Sequence, residues 1–151
     1  FDDLFTEMGP YFNVHSRITG RSGTKEICQY LSERVRGACT YPEACNTELQ
    51  GLAADAGGCA QFEMTYRTLV YHEDTPDMFG CLFVNWIHDE SITCGPANDD
   101  KWVHDVETVQ MACTQVWTPD VLAVAEGAMS YVLSKGAKAV YRDGKMVPWE
   151  P

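Results

Sequence analysis

The sequence predicts an α+β fold: a two-layer α/β sandwich, its sheet mainly antiparallel, with two principal helices on one face. Three observations lead there. Several alternating or apolar stretches follow one another with too little chain between them for crossover helices, so neighbouring strands must run antiparallel. Two other stretches carry apolar stripes at helical spacing with capping residues at their ends. A length of 151 residues suits a single domain, 1–151, large enough to bury a core.

The elements follow in order. Residues 1–8 place Leu4, Phe5 and Met8 at near-helical spacing, a short amphipathic turn broken by Gly9-Pro10. Residues 11–18 alternate, with Phe12, Val14, Ser16 and Ile18 on one side, which predicts a strand. After a turn at 20–23, residues 25–37 read as the first principal helix. Thr24 is its N-cap, and Cys28, Leu31, Val35 and Cys39 form one stripe that would face the core. Tyr41-Pro42 marks a break, and a short helix over 46–56, capped by Asn46 or Thr47, would stop at Gly57-Gly58. Residues 62–71 alternate around Phe62, Met64, Tyr66, Thr68 and Val70, a second strand. The apolar run 81–87 suggests a central strand buried on both faces. Residues 107–117, with Val109, Met111, Cys113 and Trp117 on one side, suggest another strand. The second principal helix follows over 118–136: Thr118 at the N-cap, Pro119 at N1, Asp120 in the first turn, Gly136 at C′. Its core face is Leu122, Ala125, Met129, Val132 and Leu133. A hairpin closes the chain, 139–142 and 145–147 around Asp143-Gly144.

Composition narrows the function classes. With 45% hydrophobic and 22% charged residues, the chain is neither disordered nor collagenous nor a coiled coil. No apolar run approaches the roughly 18 residues that span a bilayer, so membrane insertion is not expected. A net charge of −11 repels phosphate backbones and anionic lipid heads, which argues against nucleic acid as a partner. A start at Phe1 without Met leads to the expectation of a mature, processed chain without a signal peptide, and the absence of an Asn-x-Ser/Thr sequence to the expectation of no N-glycosylation.

Seven cysteines, Cys28, Cys39, Cys45, Cys59, Cys81, Cys94 and Cys113, are a high load without any C-x-x-C pair. Such scatter suits a disulfide framework of six of the seven in an oxidising compartment, and therefore secretion. The odd cysteine is left free or links two copies into a disulfide-bonded dimer. A cytosolic chain with buried thiols is the alternative.

The stretch 22–39 resembles the helix segment of the smut-fungus killer-toxin family. The likeness lies in Ser22-Gly23-Thr24, then Glu26, Cys28, Leu31, Ser32, Val35 and Cys39, with the alternating stretches 11–18 and 62–71 matching strands. The resemblance implies a secreted fungal protein with an α/β sandwich and several disulfides, Cys28 and Cys39 among the bridging cysteines. The family inhibits susceptible cells, in its best-known members through calcium channels. Those toxins are cationic and shorter, so the wider group of small secreted effectors is the better label for an acidic chain. The expected partner is a protein or cell-surface target.

One constellation could carry chemistry instead. His72, His88 and His104 are equally spaced, and each precedes an acid: His72-Glu73-Asp74, His88-Asp89-Glu90 and His104-Asp105. Imidazole is the natural proton carrier near neutral pH, and a carboxylate orients it, so these residues are the catalytic candidates. Three imidazoles can also hold zinc with an open position. The alternative is that each pair marks the exit of a strand into solvent, where adjacent residues point to opposite faces. A mixed site of His88, Cys94, His104 and Cys113 matches no zinc spacing. The acids Asp77, Asp99 and Asp100 extend an acidic rim without an EF-hand pattern. Trp86, Trp102 and Trp117, with Tyr66 and Phe83, would line an apolar pocket or fill the core. Trp102 or Trp149, if exposed, would suit a partner surface. No phosphate loop, nucleophile elbow or H-E-x-x-H occurs, and no cofactor is expected.

Overall fold

The computed structural model describes residues 8–71, 73 and 76–151. The described chain is α+β: α1 (Met8–Thr19), β1 (Ile27–Cys28), β2 (Val35–Arg36), α2 (Tyr41–Leu69), β3 (Leu82–Ile87), β4 (Glu90–Cys94), α3 (Lys101–Trp117), β5 (Val140–Arg142) and β6 (Lys145–Val147). Every strand pairs antiparallel with its neighbour in sequence. The described strands form three separate two-stranded sheets and no single sheet with two helices on one face. No helix among the described residues is long and apolar enough to cross a membrane. The turn expected over 1–8 lies outside the described residues except for Met8, which opens α1. The chain divides into two compact units, 1–55 and 56–151.

The first unit holds α1, the β1–β2 hairpin and the first half of α2. Residues 11–18 are helical, not a strand, and the apolar side chains of the expected strand face, Phe12 and Val14, are exposed. The helical period explains the choice: Tyr11, His15 and Thr19 recur every four residues. The His15 ring nitrogen Nδ1 meets the Tyr11 carbonyl at 2.7 Å, and the Thr19 hydroxyl donates to the His15 carbonyl at 2.8 Å.

Residues 25–37 are the β1–β2 hairpin, not a helix. Lys25, Leu31, Glu33 and Ala38 have φ between 54° and 66°, left-handed values that no α-helix contains. The burial period is two, with Ile27 and Gln29 inside and Cys28 between them exposed. The expected stripe therefore does not form: Cys39 is buried, but Cys28, Leu31 and Val35 are exposed. Ile27, Cys39 and Ala44 make the small core here, with Ile18 against it.

α2 begins where a break was expected. The Glu43 carboxylate accepts from both the Thr40 backbone N–H (2.9 Å) and its hydroxyl (2.7 Å), and Pro42 sits in the first turn, where its missing N–H has no partner to lose. These bonds hold the Glu43 carboxyl below its usual pKa. The helix then runs through Gly57-Gly58. Gly57 lies against the Trp86 ring, which a β-carbon there would meet at 3.3 Å.

In the second unit, residues 62–71 continue α2 through Leu69 and are not a strand. The buried residues are Ala56, Ala60, Met64 and Thr68, one per turn. Phe62 and Tyr66 are exposed and stack on each other with ring centroids 6.4 Å apart. Residues 107–117 belong to α3, which buries Val103, Asp105, Val106, Val109 and Cys113. Ala60, Met64, Met78, Val106, Val109 and Cys113 form the main core, with Cys59, Phe83, Trp86 and Trp102 packed against it. β3 is a strand as expected, but one of a pair, with Leu82, Val84 and Ile87 exposed rather than buried on both faces.

The expected helix over 118–136 is absent, and Thr118 instead closes α3, its N–H donating to the Thr114 carbonyl at 3.0 Å. The backbone beyond it is committed elsewhere. Gly127 N–H donates to Glu107, the Met129 carbonyl accepts from Trp149 N–H, and Ser130 bridges Trp149. Only Met129 of the expected core face is buried, in a cluster with Val103 and Met146. The final hairpin forms as expected. Asp143 and Gly144 have φ of 53° and 78°, the signature of a type I′ turn.

Candidate functional site

α3 positions the groups with the clearest chemistry. Adjacent residues on a helix diverge by about 100°, so His104 and Asp105 part company. Asp105 is buried and pairs with Lys101 one turn earlier at 2.5 Å. His104 is exposed, and its Nδ1 meets Glu107 Oε2 at 2.9 Å. The other carboxylate oxygen of Glu107 accepts the Gly127 backbone N–H at 2.6 Å. A β-carbon at Gly127 would stand 2.4 Å from the Val103 side chain, so only glycine allows this approach. Glu107 thus ties the imidazole to the segment that follows α3. With Nδ1 donating, neutral His104 leaves Nε2 with a lone pair.

Beside this pair lies a cleft of about 520 Å³, lined by Glu107, Glu126, Gly127, Lys138 and Tyr141. It offers carboxylates, an ammonium and a phenol to a small polar ligand. Of the imidazole–carboxylate pair only Glu107 lines the cleft; the pair is suited to accept a proton or to supply one metal ligand.

The remaining sequence candidates are dispersed. His88 and Asp89 form the exposed turn between β3 and β4, where His88 has φ of 58° and its carbonyl accepts from the Trp86 indole N–H. His72 lies outside the described residues, as does Asp74. Among the described residues no group of three or more His, Cys, Asp or Glu side chains is arranged to hold a metal ion. Cys94 is exposed and Cys113 buried, each a free thiol, as are the other five cysteines. Trp86 and Trp102 pack against the main core, and Trp149 is half-buried.

Two further groups stand out: His15, which the sequence did not single out, and Asp100, which it placed only in an acidic rim. In the first unit, His15 is buried. Its Nδ1 donates to the Tyr11 carbonyl, its Nε2 lies 3.6 Å from the Glu48 carboxylate without a hydrogen bond, and its ring lies against Tyr11 at 4.1 Å. Burial, then the Glu48 charge, raises the Tyr11 pKa, and its hydroxyl donates to the Cys45 carbonyl. In the second unit, Asp100 accepts the Met146 backbone N–H at 2.7 Å, which lowers its pKa and pins β6 to the start of α3. The signal for His15 was its four-residue spacing from Tyr11 and Thr19; the Asp100 bond has none, because its partner is distant in sequence.

No protein family, curated protein or solved structure matches this chain. The chain's own surfaces carry the functional information.

The segment 118–136 is the most unusual of these. Val121, Leu122, Val124, Tyr131, Val132 and Leu133 are all more than half exposed, with Leu122 at 83% and Leu133 at 78%. They fall in two groups, 121–124 and 131–133, separated by Glu126 and the buried Met129.

Proposed function

We propose that the chain acts by binding, as a secreted, disulfide-stabilised effector with a toxin-like role, and that it engages a protein or cell-surface target. The observation that carries this reading is the exposure of Val121, Leu122 and Val124 and of Tyr131, Val132 and Leu133, each more than half accessible. Burying such side chains on a partner is the main source of affinity in protein association. The net charge of −11 disfavours nucleic acid and anionic membrane as occupants, which leaves a protein surface. The cysteine load supports an oxidising compartment. The toxin-like part rests on the residue likeness of 22–39 alone, because the helix and the two flanking strands expected with it are a hairpin and two helices.

The test is binding of the fluorescently labelled chain to intact fungal and plant cells. Saturable binding that falls at least tenfold in the Leu122→Ser/Leu133→Ser double variant, with an unchanged circular-dichroism spectrum, is expected. Unsaturable binding, or binding indifferent to the double substitution, would sink the proposal.

A second reading is favoured by His104, Glu107 and their cleft: a small enzyme or ligand-binding protein using a His–carboxylate site, with zinc as a candidate ligand of His104. Calorimetric titration with zinc and with small carboxylates and amines tests it. Binding that His104→Asn and Glu107→Gln both abolish would support it; heats indifferent to both would discard it.

A further inference from the structure

We propose that Cys59 and Cys113 form a disulfide that locks α2 to α3 inside the 56–151 unit. The inference rests on the proposed oxidising compartment and names one specific bridge within it.

The geometry selects this pair from seven thiols. Cys59 lies on α2 next to the buried stripe of Ala56, Ala60 and Met64, and in line with Glu63 and Arg67 one and two turns on. Cys113 lies on α3 at the end of the stripe Val106, Val109, Cys113. Cys113 belongs to the main core and Cys59 packs against that same core, which brings the two cysteines of α2 and α3 into one cluster. No other cysteine among the described residues belongs to that core or packs against it. The Cys39 thiol donates to the carbonyls of Arg36 and Gly37. Cys81 faces the carboxylates of Asp99, Asp105 and Asp77. Both thiols are free in this structure, and bridging them requires the sulfurs to approach to about 2.05 Å.

The two thiols also differ in the way a stepwise oxidation requires. Cys59 is half-buried and Cys113 is buried. With glutathione disulfide as oxidant, the Cys59 thiolate attacks one of its sulfurs, forming a mixed disulfide and releasing one glutathione thiolate. Cys113 then loses its proton, and its sulfur attacks the Cys59 sulfur. The protein S–S bond forms as the second glutathione leaves. Two electrons pass from the protein thiols to glutathione disulfide, and the two protein protons end on the two glutathione thiols. Burial, then the neighbouring Cys59, pushes the Cys113 thiol up to about 12 and Glu63 acts in the same direction, while Arg67 opposes; the second step is accordingly the slow one.

The experiment equilibrates the full chain in a glutathione redox buffer, quenches with acid, alkylates free thiols in denaturant and maps the peptides by mass spectrometry. The expected result is a cross-linked peptide joining Cys59 to Cys113, lighter by about two mass units than the two thiol peptides. Cys113→Ala, which fills the same apolar space, should hold glutathione on Cys59 and lose the cross-link. Bridges among other cysteines with Cys59 and Cys113 both alkylated would overturn this pairing and leave the disulfide-stabilised reading standing. Seven alkylated cysteines in the folded chain would overturn both.

Discussion

α3 and the segment directly after it, residues 118–136, reverse each other's local signals. The stretch 107–117 alternates like a strand and is helical; the next stretch has a helix N-cap, Pro at N1, an early acid and a terminal Gly, and is irregular. The difference lies in what each stretch packs against. α3 has Met64, Ala60 and Met78 beside its Val106, Val109 and Cys113, so a stripe at helical spacing has somewhere to go. The later segment buries Met129 alone from its expected face, while the backbone of Gly127 and Met129 bonds to groups distant in sequence. Gly127 also costs a helix interior about 1 kcal/mol relative to Ala. Tertiary hydrogen bonds outweigh a cap worth a similar amount.

Truncation should separate the two regions most sharply. Met64→Ala removes a fully buried side chain from the core that α3 packs on and should cost about 2–5 kcal/mol, read from the urea midpoint. Leu122→Ala, in the irregular segment, should shift stability by no more than about 0.5 kcal/mol. Equal losses would mean that the segment is packed after all.

Glycine replacement gives the next largest contrast. Gly127→Ala drives a methyl into Val103 and Glu107 and should cost about 1–3 kcal/mol. Gly58→Ala, within α2 and with nothing near its new methyl, should stabilise by about 0.5–1 kcal/mol. Thermal unfolding of both variants tests the pair; a stabilising Gly127→Ala would restore the helix over 118–136.

The pH dependence is smaller. The Asp100 carboxylate has a folded pKa below its unfolded one because it accepts the Met146 N–H. Its contribution is present above the unfolded pKa and is lost as pH falls through the folded one. Acidification should therefore lower the protection factor of the Met146 amide, its exchange measured against the intrinsic rate at each pH, and Asp100→Asn should abolish that acid-sensitive step. A protection factor that is flat with pH in the parent chain would remove this tie between β6 and α3.

The smallest effect is kinetic. With Cys113 buried and its pKa pushed up to about 12, iodoacetamide at pH 8 should label the exposed Cys28 and Cys94 well before Cys113 in the reduced chain. Peptide mass mapping over time checks the order.

The candidate site was half legible. His104 was visible as an imidazole beside acids, but the sequence pointed to Asp105, one residue away, whereas the helix hands His104 to Glu107, one turn away. That error follows directly from reading 107–117 with period two. Had α3 been recognised, the three-residue spacing would have named the pair. The Gly127 contact that fixes Glu107 had no local signal. Likewise Cys59 and Cys113 were two among seven until α2 and α3 brought both to one core.

By itself the sequence determined the α+β class, antiparallel pairing, the 81–87 strand and the last hairpin. Each depends on a property local to a few residues: Asp143-Gly144 fits left-handed φ values, and a dense apolar run bounded by turns prefers extended backbone. Tertiary structure decided α1, the β1–β2 hairpin, the full length of α2, the helicity of α3 and the irregular course of 118–136. In those stretches apolar residues are frequent enough to satisfy a period of two and a period near four at once. The partner across the core then selects which face is buried, and Met64 against Val109 and Cys113 makes that selection for the 56–151 unit.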